Sequence, residues 1–360
     1  MTFTEEHEHL RTTLRRLLDE KAPSEAVRTA MDSAPGHDRA LWHRMARELG
    51  LQGIALPEEH GGAGGGPVEL GVVLEEFGRT LLPSPYFATA ALAGQALTEA
   101  ADTRWLPRIA DGTLTATLAL TDANGTTTAT PDNGDSNGRR LTGTKMFVID
   151  GHSADLLIVA AQDTTGPALF TVTGDAPGLT RTPLATLDPT RRQARLDLAA
   201  VPAVRLAADP RRVLDLVLVA LAAEQVGGAQ ACLDMAVAYA KVRTQFGRPV
   251  GAFQAVKHKC ADTLLKVEAA RSAAQHALSV AAGAPDELPV AAALAAACCA
   301  DAYTHAAKEN IQIHGGTGYT WEHDAHLHLR RAKSSEHLFG GPAAHRGRLA
   351  ELVGITATKG

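Results

Sequence analysis

Apolar residues recur at helical spacing through the N-terminal part of the chain. Leu41, Met45, Leu49 and Leu51 form one stripe, which runs into Gly50, Pro57 and a glycine-rich run over 61–66. A second helix is predicted from Pro67, with Leu70, Val73, Leu74 and Phe77 on one face. From about 113 to 205 the period shortens. Pieces at 115–120, 145–149, 156–160 and 168–172 alternate or run apolar and predict strands, with turns at Asn133-Gly134 and Asn137-Gly138. The threonine-rich stretch 126–130 reads as an exposed loop or edge strand. From 210 to 353 long patterns rich in Ala, Leu and Val predict helices again. Helices, then short strands, then helices predict an α+β fold, not an alternating β/α one. The domain boundaries expected are 1–112 (helical), 113–206 (β) and 207–360 (helical bundle).

Composition narrows the picture. The 360 residues are 45% hydrophobic and 21% charged, with net charge −5. That is a globular balance, and mild acidity speaks against nucleic acid or an anionic membrane as partner. Cys232, Cys260, Cys298 and Cys299 lie in apolar or helical surroundings without disulfide or zinc spacing. Reduced core thiols in a cytoplasm are expected. The start, Met1-Thr2-Phe3-Thr4-Glu5-Glu6-His7, is polar and acidic and lacks the order of a signal peptide. The apolar runs 214–223 and 289–300 are too short to span a bilayer.

Two strings carry candidate chemistry. Arg243-Thr244-Gln245-Phe246-Gly247-Arg248-Pro249 puts a fixed cation and an aromatic beside a Gly/Pro turn at the end of an apolar helix. A guanidinium fork suits paired phosphate oxygens, although a bare arginine is usually a solvated charge. Ile311-Gln312-Ile313-His314-Gly315-Gly316-Thr317-Gly318-Tyr319 follows a helical run with glycines that let backbone approach a ligand, or simply stop the helix. Upstream lie Gly50-Leu51-Gln52-Gly53-Ile54-Ala55-Leu56-Pro57, Leu120-Thr121-Asp122 and Leu141-Thr142-Gly143-Thr144-Lys145-Met146-Phe147-Val148-Ile149-Asp150-Gly151.

In this order, over nearly the full length, these strings resemble the acyl-CoA dehydrogenase family. The resemblance implies N-terminal helices, a middle β-barrel or sheet domain and a C-terminal four-helix bundle. It implies FAD, an acyl-CoA or acyl-carrier thioester as substrate, and electrons leaving to an electron-transfer flavoprotein. Arg243 would meet the FAD pyrophosphate of a neighbouring subunit, with Gln245, Phe246 and Gln254 nearby. Gln312, Ile313, His314, Gly315 and Gly316 would lie on the dinucleotide, and Thr121, Phe147 and Ile149 beside the flavin ring. The expected assembly is an oligomer through the C-terminal bundle. Its Arg243 and Gln312 motifs are expected to face one dinucleotide from different subunits.

The departures concern the base. Removing an α-proton needs a positioned carboxylate. The family's usual glutamate position is Phe339 here, in Leu338-Phe339-Gly340-Gly341; its alternative position, on the first bundle helix, is Val217, followed by Leu218. Glu224 lies on nearly the same helical face as Val217, and Glu336 precedes Phe339 by one turn. Glu224 reads as a base or, preferably, as a buried carboxylate paired with an arginine. Glu336 reads as a supporting or helix-start carboxylate. The flavin loop continues as Asp122-Ala123-Asn124-Gly125, shorter than the family's, and Ile149 replaces a hydroxyl-bearing residue. His323, His326 and His328 read as surface or interface histidines, not a metal site. Arg330, Arg331 and Lys333 read as a solvated face or as partners of a carboxylate. Three functions follow: an FAD-dependent acyl-CoA dehydrogenase, a non-catalytic subunit completing the FAD site of a glutamate-bearing paralogue, or a relative acting on a carrier-bound substrate.

Overall fold

The computed structural model describes residues 4–132 and 138–355. The Asn133-Gly134 turn and Asn137 fall outside these residues. The helices are α1 (Glu5–Lys21), α2 (Ser24–Asp32), α3 (Arg39–Arg47), α4 (Pro67–Thr80), α5 (Gln95–Glu99), α6 (Leu106–Ala110), α7 (Pro210–Val242), α8 (Gln254–Gly283), α9 (Leu288–His314), α10 (Ala325–His337) and α11 (Pro342–Leu352). The strands are β1 (Ala116–Ala119), β2 (Thr128–Pro131), β3 (Gly138–Ile149), β4 (Leu156–Asp163), β5 (Gly166–Thr173), β6 (Leu179–Pro183), β7 (Gln193–Leu206) and the short pair β8 (Thr244–Gln245) and β9 (Arg248–Pro249). The chain forms two compact units. One comprises Thr29–Leu70 and Pro83–Val217; the other comprises Met1–Arg28, Gly71–Leu82 and Leu218–Gly360.

The first unit holds the sheet. Strands β4, β2, β3, β7 and β5 pair in that order, and β5 returns to β4, which closes the ring. β1 adds parallel to β4, and β6 adds antiparallel to β7. Leu141, Leu157, Val159, Phe170, Leu196 and Val201 fill the interior, as inward positions on alternating strands should. The stretch 126–130 is partly β2, which pairs with both β3 and β4 and so is not an edge strand. Asp38 caps α3 by accepting from Ala40 and Leu41 amides. The expected stripe there ends early: α3 stops at Arg47, so Leu49 falls outside the helical phase and is exposed. A fully buried π-helical segment, Phe87–Gly94, is anchored to β1 by the Thr89 hydroxyl, which contacts both backbone groups of Ala116.

The second unit is a helical bundle in which α9 packs on α8, α10 and α11. Cys232, Leu233, Val267, Tyr303, Ala306 and Ala332 form one core cluster. Gly78 and Gly227 let α4 and α7 touch backbone to backbone. A Cβ on either would meet a carbonyl of the facing helix, at 2.1 Å from Glu224 O and 1.8 Å from Glu75 O. Buried charges are neutralised in a network. Arg11 reaches Glu75 at 3.0 Å and Glu76 at 2.9 Å, and Arg15 reaches Glu76 at 2.9 Å. Helices α7 and α9 are longer than their apolar runs suggest. By length and composition two helices would qualify to cross a membrane, but the qualifying windows are 94% and 72% buried within the protein. Among the described residues, no three His, Cys, Asp or Glu side chains stand together as a metal site.

Candidate functional site

In the sheet unit, one end of β3 carries Phe147 and Ile149, and the loop after β1 that bonds to it carries Thr121, the residues predicted near the flavin. β3 slips register against β7 between Lys145 and Val148, so Met146 and Phe147 together oppose Arg195. Such a bulge re-aims a side chain. Phe147 takes φ +57° and stands 52% exposed. A left-handed phenylalanine is uncommon and costs about 1–2 kcal/mol. Thr121 is exposed, and its carbonyl accepts from the Met146 amide at 2.9 Å. Ile149 differs: it is buried, and its carbonyl accepts the Thr117 hydroxyl.

Beneath the loop lies a residue that the sequence reading passed over. Lys145 is 1% exposed; its Nζ donates to Leu120 O at 3.1 Å and pairs with Asp122 Oδ1 at 2.8 Å. Asp122 in turn accepts from the Thr127 hydroxyl and amide. Burial pushes the Lys145 pKa down, and Asp122 restores part of it. Against the upward push of burial, Lys145 and Thr127 hold Asp122 below the ordinary carboxylate range. Strand parity carries the signal for this lysine, because Leu141 and Lys145 share the inward phase of β3.

In the bundle unit, Arg243 sits at the end of α7, exposed and, among the described residues, without an ion pair. Thr244 and Gln245 pair with Pro249 and Arg248 around a two-residue turn. Phe246 and Gly247 both take positive φ, +52° and +76°. The turn projects Phe246 outward, 91% exposed, with its edge toward Phe253 at 6.1 Å between ring centroids. Gln254 opens α8 and is exposed.

Gly315 ends α9 at φ +59° and ψ −137°, backbone that only glycine adopts readily. A Cβ at Gly315 or Gly316 would meet nothing within 4 Å, so the backbone there faces open space. Gln312 is exposed, Ile313 is half-buried and His314 is buried. The His314 ring lies between Tyr239, at 4.3 Å, and His323, at 4.4 Å, and its Nδ1 meets Asn310 O at 2.8 Å. Burial pushes its pKa down against the Asn310 carbonyl, and His323 adds to the depression. Tyr239 is one turn before Arg243 on α7, and its carbonyl accepts the Arg243 amide. The two motifs are therefore joined within one chain at one end of the bundle.

The two positions expected to hold a base carry no carboxylate. Val217 and Leu218 are buried in α7. Phe339 is half-buried at φ +57°, and the next carbonyl, Gly340 O, lies 2.9 Å from His345 Nε2. Glu224 is buried and pairs with Arg331 Nη1 at 3.3 Å. Glu336 pairs with Lys333. His326 and His328 are buried, not surface histidines: His326 stacks on Trp321, and His328 Nδ1 meets the Tyr303 hydroxyl at 3.0 Å. The alternation of α10 that brings Arg331 inward brings His328 inward one turn earlier.

Comparison with known proteins agrees with this layout. Models of the acyl-CoA dehydrogenase N-terminal and C-terminal domains match residues 4–113 and 212–354. The acyl-CoA dehydrogenase IpdE2 of Mycobacterium tuberculosis is 38% identical over 98% of this chain and 99% of its own. A variant of the Tcur3481-Tcur3483 steroid ACAD superposes with a TM-score of 0.90 at 36% identity, over 97% of this chain and 98% of that one. A chain of the ChsE4-ChsE5 complex from Mycobacterium tuberculosis gives a TM-score of 0.92 at 28% identity, over 99% of both chains. With helical ends around a middle sheet, and relatives alike along almost their whole length, the chain belongs to the acyl-CoA dehydrogenase family.

Proposed function

We propose that the chain is a subunit of an FAD-dependent acyl-CoA dehydrogenase in which it supports flavin binding and a partner chain supplies the base. One observation carries this reading: Phe339 and Val217 occupy the family's base positions, while Glu224 and Glu336 are each held by a cation. Family members are FAD flavoproteins, and the residues here fit that cofactor. Arg243 offers an uncommitted guanidinium to a pyrophosphate, with Gln245, Phe246 and Gln254 around it. Gln312, Ile313, His314, Gly315 and Gly316 offer backbone beside it, where the open space at the glycines leaves room for the dinucleotide. Exposed Thr121 and Phe147 would border the ring, while Ile149 is buried and could only pack behind them.

When bound, FAD supplies the hydride acceptor for α,β-dehydrogenation of an acyl thioester. Arg243 would hold the pyrophosphate, and Thr121 and Phe147 would pack against the ring. Electrons would pass to an electron-transfer flavoprotein. Likeness to a steroid ACAD and to a two-component complex supports a bulky acyl-CoA and a paralogous partner.

The test is anaerobic bleaching of the flavin by a panel of acyl-CoAs, with the chain purified alone and with a co-expressed glutamate-bearing paralogue. Bleaching only in the mixed assembly is the expected result. A missing general base costs roughly two to four orders of magnitude in rate. Rapid bleaching by the isolated chain would overturn the division of labour. If it also survived Glu224→Gln, the base would have to be Glu336.

A further inference from the structure

We propose that Lys145 is a positioning residue for the flavin, acting through the loop that carries Thr121 rather than through contact of its own. This rests on the FAD reading above. Lysine is almost never fully buried without a reason, and Lys145 is the most deeply buried cation on β3. Its ammonium spans two points of one short segment, Leu120 O at 3.1 Å and Asp122 Oδ1 at 2.8 Å. Those points flank Thr121 on both sides. The same segment is stitched to β3 through its backbone, by Met146 N to Thr121 O at 2.9 Å and Ala123 N to Thr144 O at 3.0 Å. Asp122 also gathers in the far side of the loop through the Thr127 hydroxyl and amide. Buried Lys145 and Thr127 thus meet at the half-buried Asp122 and form a chain under an exposed loop.

The lysine also sits at the β3 bulge. It is the last residue in register before Met146 and Phe147 are displaced, and Val148 resumes the pairing with β7. The ammonium thus holds the loop bearing Thr121, and that loop meets the bulge bearing Phe147 through the Met146 amide. A neutral side chain would leave Leu120 O and the Asp122 carboxylate under-bonded, and the loop would relax toward water to satisfy them. Flavin binding would then have to include re-ordering of the loop, which lowers affinity by the fraction of time the loop is in place.

The experiment is FAD titration of the flavin-depleted assembly, followed by flavin fluorescence and visible absorption, alongside thermal melts without flavin. For Lys145→Met we expect a cooperative melt, an FAD Kd weakened roughly tenfold or more, the equivalent of about 1.4 kcal/mol, and bound-flavin absorption shifted toward that of free FAD. Thr127→Val keeps shape but removes the hydroxyl from Asp122, and should shift Kd and spectrum the same way by less. A folded Lys145→Met variant with wild-type Kd and spectrum overturns the proposal. Should Lys145→Met fail to fold, Thr127→Val decides alone, and wild-type values there overturn it equally. If the wild-type assembly itself takes up no FAD, the cofactor reading fails first and this inference with it.

Discussion

Glu224 on α7 and Arg331 on α10 face each other at 3.3 Å with both side chains buried. The pair fixes what Glu224 can do. A carboxylate whose charge is met by a guanidinium in the core has a structural partner already, and taking a substrate proton would strand the cation. Removing one side of a buried pair costs about 3–5 kcal/mol, because the other charge is left uncompensated. Arg331→Met should therefore lower the unfolding free energy by an amount of that order. Glu224→Gln keeps the shape and one acceptor, and should cost less. Urea melts of the two variants check the ranking, and equal, near-zero effects would show that the pair is not formed.

Arg243 makes a separate prediction. Its fork is exposed and free to meet two phosphate oxygens. A hydrogen bond to a charged group is worth about 1.5–3 kcal/mol, so Arg243→Ala should weaken FAD binding by roughly one to two orders of magnitude. Arg243→Lys should recover only part, since an ammonium lacks the fork. Flavin content after gel filtration and Kd by fluorescence quenching are the measurements. Wild-type retention in Arg243→Ala would remove this residue from the cofactor site.

How much of this was legible in the sequence depends on the range of the interaction. The strands at 156–160 and 168–172, the helix from Pro67 and the stop at Gly315 each follow from local periodicity or a residue type. That positions 339 and 217 carry no carboxylate was legible, because it needs only the two short strings themselves. The Lys145–Asp122 pair was not read, although parity placed the lysine inward, because nothing local names its partner across the loop. The β3 bulge hides Phe147's exposure for a similar reason: one extra residue reverses the face of everything after it. The Tyr239–His314 contact joins residues far apart in sequence, so only the packed bundle shows that the Arg243 and Gln312 strings share one end. Likewise His326 and His328 read as surface groups until α10 is seen to turn them inward.

Acid should destabilise the protein in a defined window. Burial pushes the pKa of His152 down, and Arg192, Arg181 and His37 add to the depression. Burial does the same to His37, His314 and His326. For a base depressed in the folded state, the unfolded chain takes up the proton first. Stability is then complete above the unfolded histidine value of about 6.5 and falls as pH drops toward each native value. Thermal melts between about pH 7.5 and 5 stay above the carboxylate range and should show this loss. His152→Asn removes one such group and should flatten the slope. An unchanged slope would mean that His152 titrates alike in both states.

Phe246 sets stability against function. It occupies the first position of a two-residue turn in which it and Gly247 both have positive φ. Turns of this kind favour Asn before Gly, and a bulky L residue there costs about 1–2 kcal/mol. What Phe246 gains in return within its own chain is small. It is 91% exposed, and its visible contact is an edge-on approach to Phe253 at 6.1 Å, a pairing worth about 0.5–1.5 kcal/mol at best and less when solvated. The strain is retained at a place where the aromatic ring is offered outward beside Arg243. Phe246→Asn should therefore leave the flavin-free protein as stable as wild type or up to about 1 kcal/mol more so, while weakening FAD retention. Melts without flavin and FAD titration of the same variant separate the two effects. A variant that loses stability and keeps flavin affinity would show that the ring serves the hairpin rather than the cofactor.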